Sequence, residues 1–242
     1  MMNDDDQLSY MIRVGRKVGN STPSYPGFTP IVVLTKSSQY GDLSPYTLKD
    51  EQGRIMENIY QYQKIYKSVP ESTQRYSQWD QTIIWNWQAE EHVNTEGYPT
   101  EAYWKWRNAG FHNPYPVRYP VGYKHRSECL CSISEAGEIL GYVEARKKIY
   151  FSVYVDLVKR QPRFNSLKER LKCGENLLII EVDGPHQESL GYYKDKYNVK
   201  DDFITTSTVL VSNENMDIMV NDTKHPFGHG YCLGMALLDM QV

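Results

Sequence analysis

Apolar positions in this chain follow two periods, and each marks a different kind of element. Between Gly53 and Pro70, Ile55, Ile59, Tyr62 and Tyr66 recur at i, i+4, i+7 and i+11 and predict a helix over 55–66 with one apolar stripe. Glu57, Gln61 and Lys64 recur at i, i+4 and i+7 and form a polar stripe beside it. A partly buried carboxylate near a lysine must be paired or used, whereas a Glu-to-Lys pair on a solvated helix face is common and weak. The spacing alone leaves both readings open.

Elsewhere the pattern predicts strands at 10–15 and 29–35, with a loop at 22–27 between them. A turn-rich connection over 41–53 carries a further strand at 46–49. The unbroken apolar run within 176–183 marks a buried strand, and a β-type run follows at 203–212. Helices are expected at 99–107, started by Thr100, and at 138–159, beginning after Gly141 with Val143, Tyr150, Tyr154, Leu157 and Val158 inward. More follow at 164–174 with Gly174 as its left-handed cap, 187–197, 213–220 capped by Asn213, and 230–240. Residues 1–8 are polar and expected to be disordered. The fold class expected is α+β: one mainly helical domain over 9–242 around a small β-sheet, with a Trp-rich segment inserted at about 75–125.

Composition narrows the classes. The 242 residues suffice for one sizeable core, and a net charge of −3 argues against a protein that binds nucleic acid by neutralising phosphates. No apolar run approaches a membrane span, and the acidic start lacks the basic character of a signal peptide. Cys129, Cys131, Cys173 and Cys232 lack Cys-x-x-Cys spacing, so reduced thiols and a cytoplasmic location are expected, with no metal and no cofactor. Twenty tyrosines and five tryptophans suit half-wet surfaces that stack on planar ligands. The segment holding Trp79, Trp85, Trp87, Trp104 and Trp106 is either a packed extra layer or a lid over a substrate.

Residues 113–126 combine three prolines with Arg118, Lys124, His125 and Arg126 and predict an ordered, extended loop. Arginine grips phosphate oxygens bidentately, so this loop is either a phosphate-binding surface or scattered surface charge. Glu181 and Asp183 at a strand end are either site carboxylates or loop caps. His225 and His229 are four apart, but Pro226 and Gly228 place them in a loop rather than on a metal-binding helix face. Gly228, Gly230 and Gly234 suit close backbone approach to a ligand or helix.

Three ordered motifs carry a family resemblance. Leu43-Ser44-Pro45-Tyr46 with Met56-Glu57-Asn58-Ile59-Tyr60-Gln61-Tyr62-Gln63-Lys64 resembles the "LSNF … (S/T)VEHxxQxxK" signature of the NADAR family of YbiA-like proteins. Residues 171–181 resemble its "L-x-T-G-x-x-x-L-v-E" segment, and 221–234 its "D-x-x-W-G-x-G … N-x-L-G" closing motif. Asn58 stands where the family has His, Pro45 where it has Asn, and Phe227 where it has Trp, with a longer gap after Asp222 and a shortened end.

The resemblance implies a YbiA-like fold and hydrolysis of an N-glycosidic bond in an ADP-ribose-type or nucleotide-derived substrate, an ADP-ribosylated nucleobase among them. The catalytic set it implies is Glu57, Asp222 and Lys64, with either carboxylate as the base. Substrate contacts would come from Ser44, Tyr46, Gln61, Arg118, Lys124, Arg126, Arg146, Glu181, Phe227, Gly228 and His229. Nucleic acid enters only as a substrate carrier, and no membrane partner is expected. The rival reading is a non-catalytic binder that sequesters ADP-ribose-like or nucleotide ligands.

Overall fold

A computed structural model describes residues 10–242, so the expected disordered segment 1–8 lies outside the described residues. The chain opens with strands β1 (Ile12–Arg16) and β2 (Thr29–Val32), followed by helix α1 (Met56–Gln61). Short strands come next: β3 (Lys64–Ile65), β4 (Ser68–Val69), β5 (Ser72–Arg75), β6 (Ile83–Trp87) and β7 (Glu90–Glu91). After α2 (Glu101–Phe111) come β8 (Cys131–Ile133) and β9 (Ile139–Leu140). A helical stretch then runs as α3 (Tyr142–Ala145), a π turn (Arg146–Phe151) and α4 (Ser152–Val158). The chain ends with α5 (Pro162–Lys172), β10 (Leu177–Glu181), α6 (Leu190–Tyr197), β11 (Thr208–Leu210), α7 (Asn213–Asn221) and α8 (His229–Leu237). The architecture is mixed α+β, and no helix among the described residues is long and apolar enough to cross a membrane.

Contacts divide the chain into two compact units, one formed by the segments before Pro45 and after Val153, the other by Pro45–Val153. In the first, the sheet order is β11-β1-β10-β2, with β1, β10 and β2 parallel and β11 antiparallel. β10 is central and all five of its residues are buried, as a parallel strand covered on both faces requires. Register pairs Arg16 with Glu181 and Ile180 with Val32, so the three parallel strands end at one edge. α8 is buried along its length and packs on β1 and β10. Gly234 allows that approach: a Cβ there would stand 2.9 Å from Val211 Cγ2.

The second unit gathers the aromatic segment 75–125 around α1 and α2. Tyr62 packs 4.6 Å from Trp106 and 4.9 Å from Trp85, in a core with Ile65, Val69, Tyr103 and Val117. Gly110 on α2 is required there, since a Cβ would fall 2.0 Å from the Tyr62 ring. Thr100 caps α2 as expected, accepting from the Tyr103 N–H at 3.2 Å. Trp85 and Trp106 are thus packing residues, while Trp79 is 84% exposed on the loop between β5 and β6.

Several elements differ from their expected bounds. The helix predicted over 55–66 ends at Gln61, and Lys64 belongs to β3. Tyr62 turns into the aromatic core, the Gln63 side chain donates back to the Ile59 carbonyl at 2.9 Å, and β3 pairs with β8, so tertiary contacts override the helical period. Residues 46–49 form a turn with one bridge, Lys49 to Ile55, rather than a strand. The run at 203–212 yields strand only at 208–210, because Thr206 and Ser207 take positive φ. Ser212, not Asn213, caps α7. Lys124, His125 and Arg126 sit on a 3-10 turn (Tyr123–Glu128) instead of an extended loop. The helical pattern over 138–159 begins after Gly141 as expected, at Tyr142, and the residues before it, Ile139–Leu140, are paired as β9.

Candidate active site

Glu57 occupies the first turn of α1, where a carboxylate also meets the positive end of the helix. Its side chain is buried, and Oε1 accepts from Gln61 Nε2 at 2.8 Å. Gln61 Oε1 in turn accepts from Lys64 Nζ at 2.8 Å. Lys64 comes from β3, so the chain of carboxylate, amide and ammonium forms even though one helix does not carry all three. Its ammonium lies 4.5 Å over the Tyr60 ring. Burial lowers the Lys64 pKa; the neighbouring Cys129 and Glu57 oppose that shift and Arg118 adds to it.

Tyr60 joins this cluster to the π turn. Its ring meets Tyr150 edge-on at 4.9 Å, and burial, reinforced by Tyr142, keeps its phenol protonated against the pull of Arg146. Arg146 is buried, donates from Nη2 to the Tyr142 hydroxyl at 2.9 Å and stacks 4.7 Å from that ring. π turns recur at functional sites, and this one places a buried guanidinium among phenols. Tyr142 leaves half its surface open to solvent.

Asn58, which departs from the family pattern, has a defined task. Its amide donates to the Asn113 and Tyr115 carbonyls at 3.2 and 2.9 Å, and its oxygen accepts from the Val117 N–H at 2.8 Å. It therefore pins the loop carrying Arg118. Tyr46 is half-buried in the same unit. Lys124 and Arg126 are exposed, and Arg126 folds onto its own turn, donating to the Tyr123 carbonyl at 2.6 Å and stacking 3.6 Å from that ring. A nearby open depression of about 470 Å³ is lined by Ser68, Glu90, Glu91, His125 and Glu128 among others, and its acidic lining suits no anionic ligand.

Comparison with protein-family models, curated proteins and solved structures gives no match. The likeness to the NADAR motifs therefore rests on this chain's own residues.

The remaining candidates belong to the other unit. Ser44 is buried with its Oγ 2.8 Å from Thr35 Oγ1. Glu181 ends β10 inside the N-terminus of α8: Oε1 accepts the Gly230 N–H at 3.0 Å, and Oε2 stands 3.2 Å from His229 Nδ1, an ion pair out of line for a hydrogen bond. His229 Nε2 meets the Val33 carbonyl at 3.0 Å. Burial alone would lower the His229 pKa, but the Glu181 charge and the carbonyl raise it above the ordinary value. Gly228 and Gly230 serve this pair, because a Cβ at either would reach 2.2 or 2.8 Å from the Glu181 carboxylate. Phe227 stacks on Tyr231 at 5.0 Å.

Asp222 is fully buried and heavily engaged. Oδ1 accepts from Tyr192 at 2.7 Å, Tyr197 at 3.2 Å and the Lys224 N–H at 3.3 Å. Oδ2 accepts from Tyr193 at 3.0 Å and from the His225 N–H at 3.2 Å, with His225 Nδ1 at 2.6 Å. Burial would raise its pKa, but these donors, Tyr192 and His225 foremost, hold it far below the carboxylate range. Among the described residues no group of three or more His, Cys, Asp or Glu is placed to hold a metal ion, and none of the four cysteines forms a disulfide. Tyr60 and Tyr142 were absent from the sequence candidates; their spacing from Glu57 (i+3) and Arg146 (i−4) was the signal available.

Proposed function

We propose that this protein is a divergent NADAR-type hydrolase that cleaves an N-glycosidic bond in an ADP-ribose-type or nucleotide-derived substrate. The observation that carries the reading is the buried chain Glu57–Gln61–Lys64, whose three members also match the family motif residue for residue. Departure of a base from ribose builds positive charge at the anomeric carbon, which a carboxylate stabilises while it takes a proton from the attacking water. Gln61 fixes the Glu57 carboxylate in place. Lys64, with its lowered proton affinity, is suited to give a proton to the departing base. Arg146 and Arg118 are the cations this reading sets against the substrate's phosphates. In this reading Asp222 orders its surroundings and leaves the base role to Glu57, since both its oxygens already accept several bonds.

Release of ADP-ribose from NAD, cyclic ADP-ribose and ADP-ribosylated guanine-containing DNA, followed by mass spectrometry, tests the proposal. Glu57-dependent release from one of them supports hydrolysis and names the leaving group. The second reading, a binder without turnover, draws on the saturation of Asp222 and on Asn58 serving as a loop clamp. Calorimetric binding of ADP-ribose with no release from any substrate would favour it. Neither binding nor turnover would sink both readings.

A further inference from the structure

At the carboxyl edge of the parallel strands, the unit built on β1 and β10 carries a second polar cluster that the Glu57 chemistry does not use. Arg16 ends β1, and the loop after β10 passes so close that a Cβ on Gly184 would stand 2.9 Å from the Arg16 Cα. That contact seats His186 beside the guanidinium, with Arg16 Nη1 2.7 Å from His186 Nδ1. A guanidinium only donates, so Nδ1 accepts from Arg16 and the ring N–H lies on Nε2; Glu188 Oε1, 3.2 Å from the same Nδ1, faces it without a proton between them. Every side-chain polar contact of Arg16 runs through Nη1, the other being Glu188 at 3.4 Å, whose side chain is 70% exposed. Arg16 Nε is buried and has no partner. The Nε–Nη2 edge, which grips oxyanions bidentately, is thus uncommitted. His225 lies beyond His186, ring centroids 6.2 Å apart, oriented by its 2.6 Å contact with Asp222. Lys224 adds an exposed ammonium 4.2 Å over Tyr192.

We propose that Arg16, His186, His225 and Lys224 form a binding site for a phosphate dianion, whether free phosphate or the terminal phosphate of a phosphomonoester. Arg16 supplies the fork, His186 its Nε2–H, and Lys224 a second positive charge. The donors that recognise the phosphate are the Nε–Nη2 fork and the His186 Nε2–H, since Glu188 already takes part of the Arg16 charge through Nη1. Ligands of open parallel sheets gather at this edge of the strands, and an unpaired buried Arg nitrogen is costly unless an acceptor reaches it. The site is independent of the hydrolase reading: ADP-ribose has an internal diphosphate and no terminal phosphate.

Calorimetric titration of the full chain with inorganic phosphate and with AMP tests the proposal. The wild type is expected to bind at least one, less tightly in added salt, and Arg16→Gln should weaken binding tenfold or more with its thermal unfolding unchanged. Arg16→Lys, which keeps the charge and loses the fork, and His186→Ala should each weaken it several-fold; they decide the matter if Arg16→Gln fails to fold. Binding of AMP alone assigns the site to phosphomonoesters, and equal binding of both assigns it to phosphate itself. No binding of either, or binding unaltered in the folded Arg16 and His186 variants, would overturn the site. AMP binding lost in Glu57→Gln but kept in Arg16→Gln would overturn it as well.

Discussion

Glu57, in the unit over 45–153, accepts from the Gln61 amide, whose oxygen accepts in turn from the Lys64 ammonium. Asp222, in the other unit, takes three phenols, an imidazole and two backbone N–H groups. Both are buried acids, but their partners differ in kind. The donors around Asp222 stabilise its charged form so strongly that taking up a proton is disfavoured, and a base must take one up. Glu57 is held by the Gln61 amide, and beyond that amide stands Lys64, a cation whose own proton is loosened by burial. On the reading proposed above, Asp222 holds structure and Glu57 reacts.

The largest expected effect falls on Glu57. Glu57→Gln keeps the shape and an acceptor for Gln61, so folding should persist while turnover drops roughly 10²–10⁴-fold, the worth of a general base. Asp222→Ala should do the reverse and cost about 3–5 kcal/mol of stability in urea unfolding, because four side chains lose their common acceptor. Little loss of stability there would erase the contrast. Asp222 also sets an acid limb: its depressed pKa contributes stability that is complete above its ordinary value of 3.8 and is lost as pH falls toward the folded value. An Asp222→Asn variant should show a flatter profile in that range.

Smaller effects sharpen the picture of the α8 N-terminus. Gly228→Ala drives a methyl into the Glu181 carboxylate and should destabilise by about 1–3 kcal/mol, as overpacking does. His229, with its raised pKa, contributes stability that is complete below its ordinary 6.5 and is lost as pH rises through the folded value. His229→Gln should therefore unfold at nearly the same urea concentration on either side of that range, where the wild type weakens with rising pH.

Much of this was legible in the residues themselves. The run Leu177–Glu181 gave a buried strand because nothing polar interrupts it, and Thr100 and Gly174 marked helix ends because their local chemistry is short-ranged. Glu57, Gln61 and Lys64 were grouped correctly for a reason only half right: Lys64 reaches Gln61 from a strand. The helix bound at Gln61 was hidden because the Tyr62 contacts that end it come from Trp85 and Trp106, more than twenty residues away. The phenols around Asp222 were equally hidden, since Tyr192, Tyr193 and Tyr197 lie on α6, some thirty residues upstream. Asn58, seen in sequence only as a departure, gains its meaning from the loop it clamps.

The most direct test of the central contrast is the rate of ADP-ribose release by wild type, Glu57→Gln and Asp222→Asn, each at matched folded fraction. Glu57→Gln is expected to be nearly inactive, while Asp222→Asn retains most of the wild-type rate per folded molecule. Loss of activity in Asp222→Asn with a fully active Glu57→Gln would contradict it.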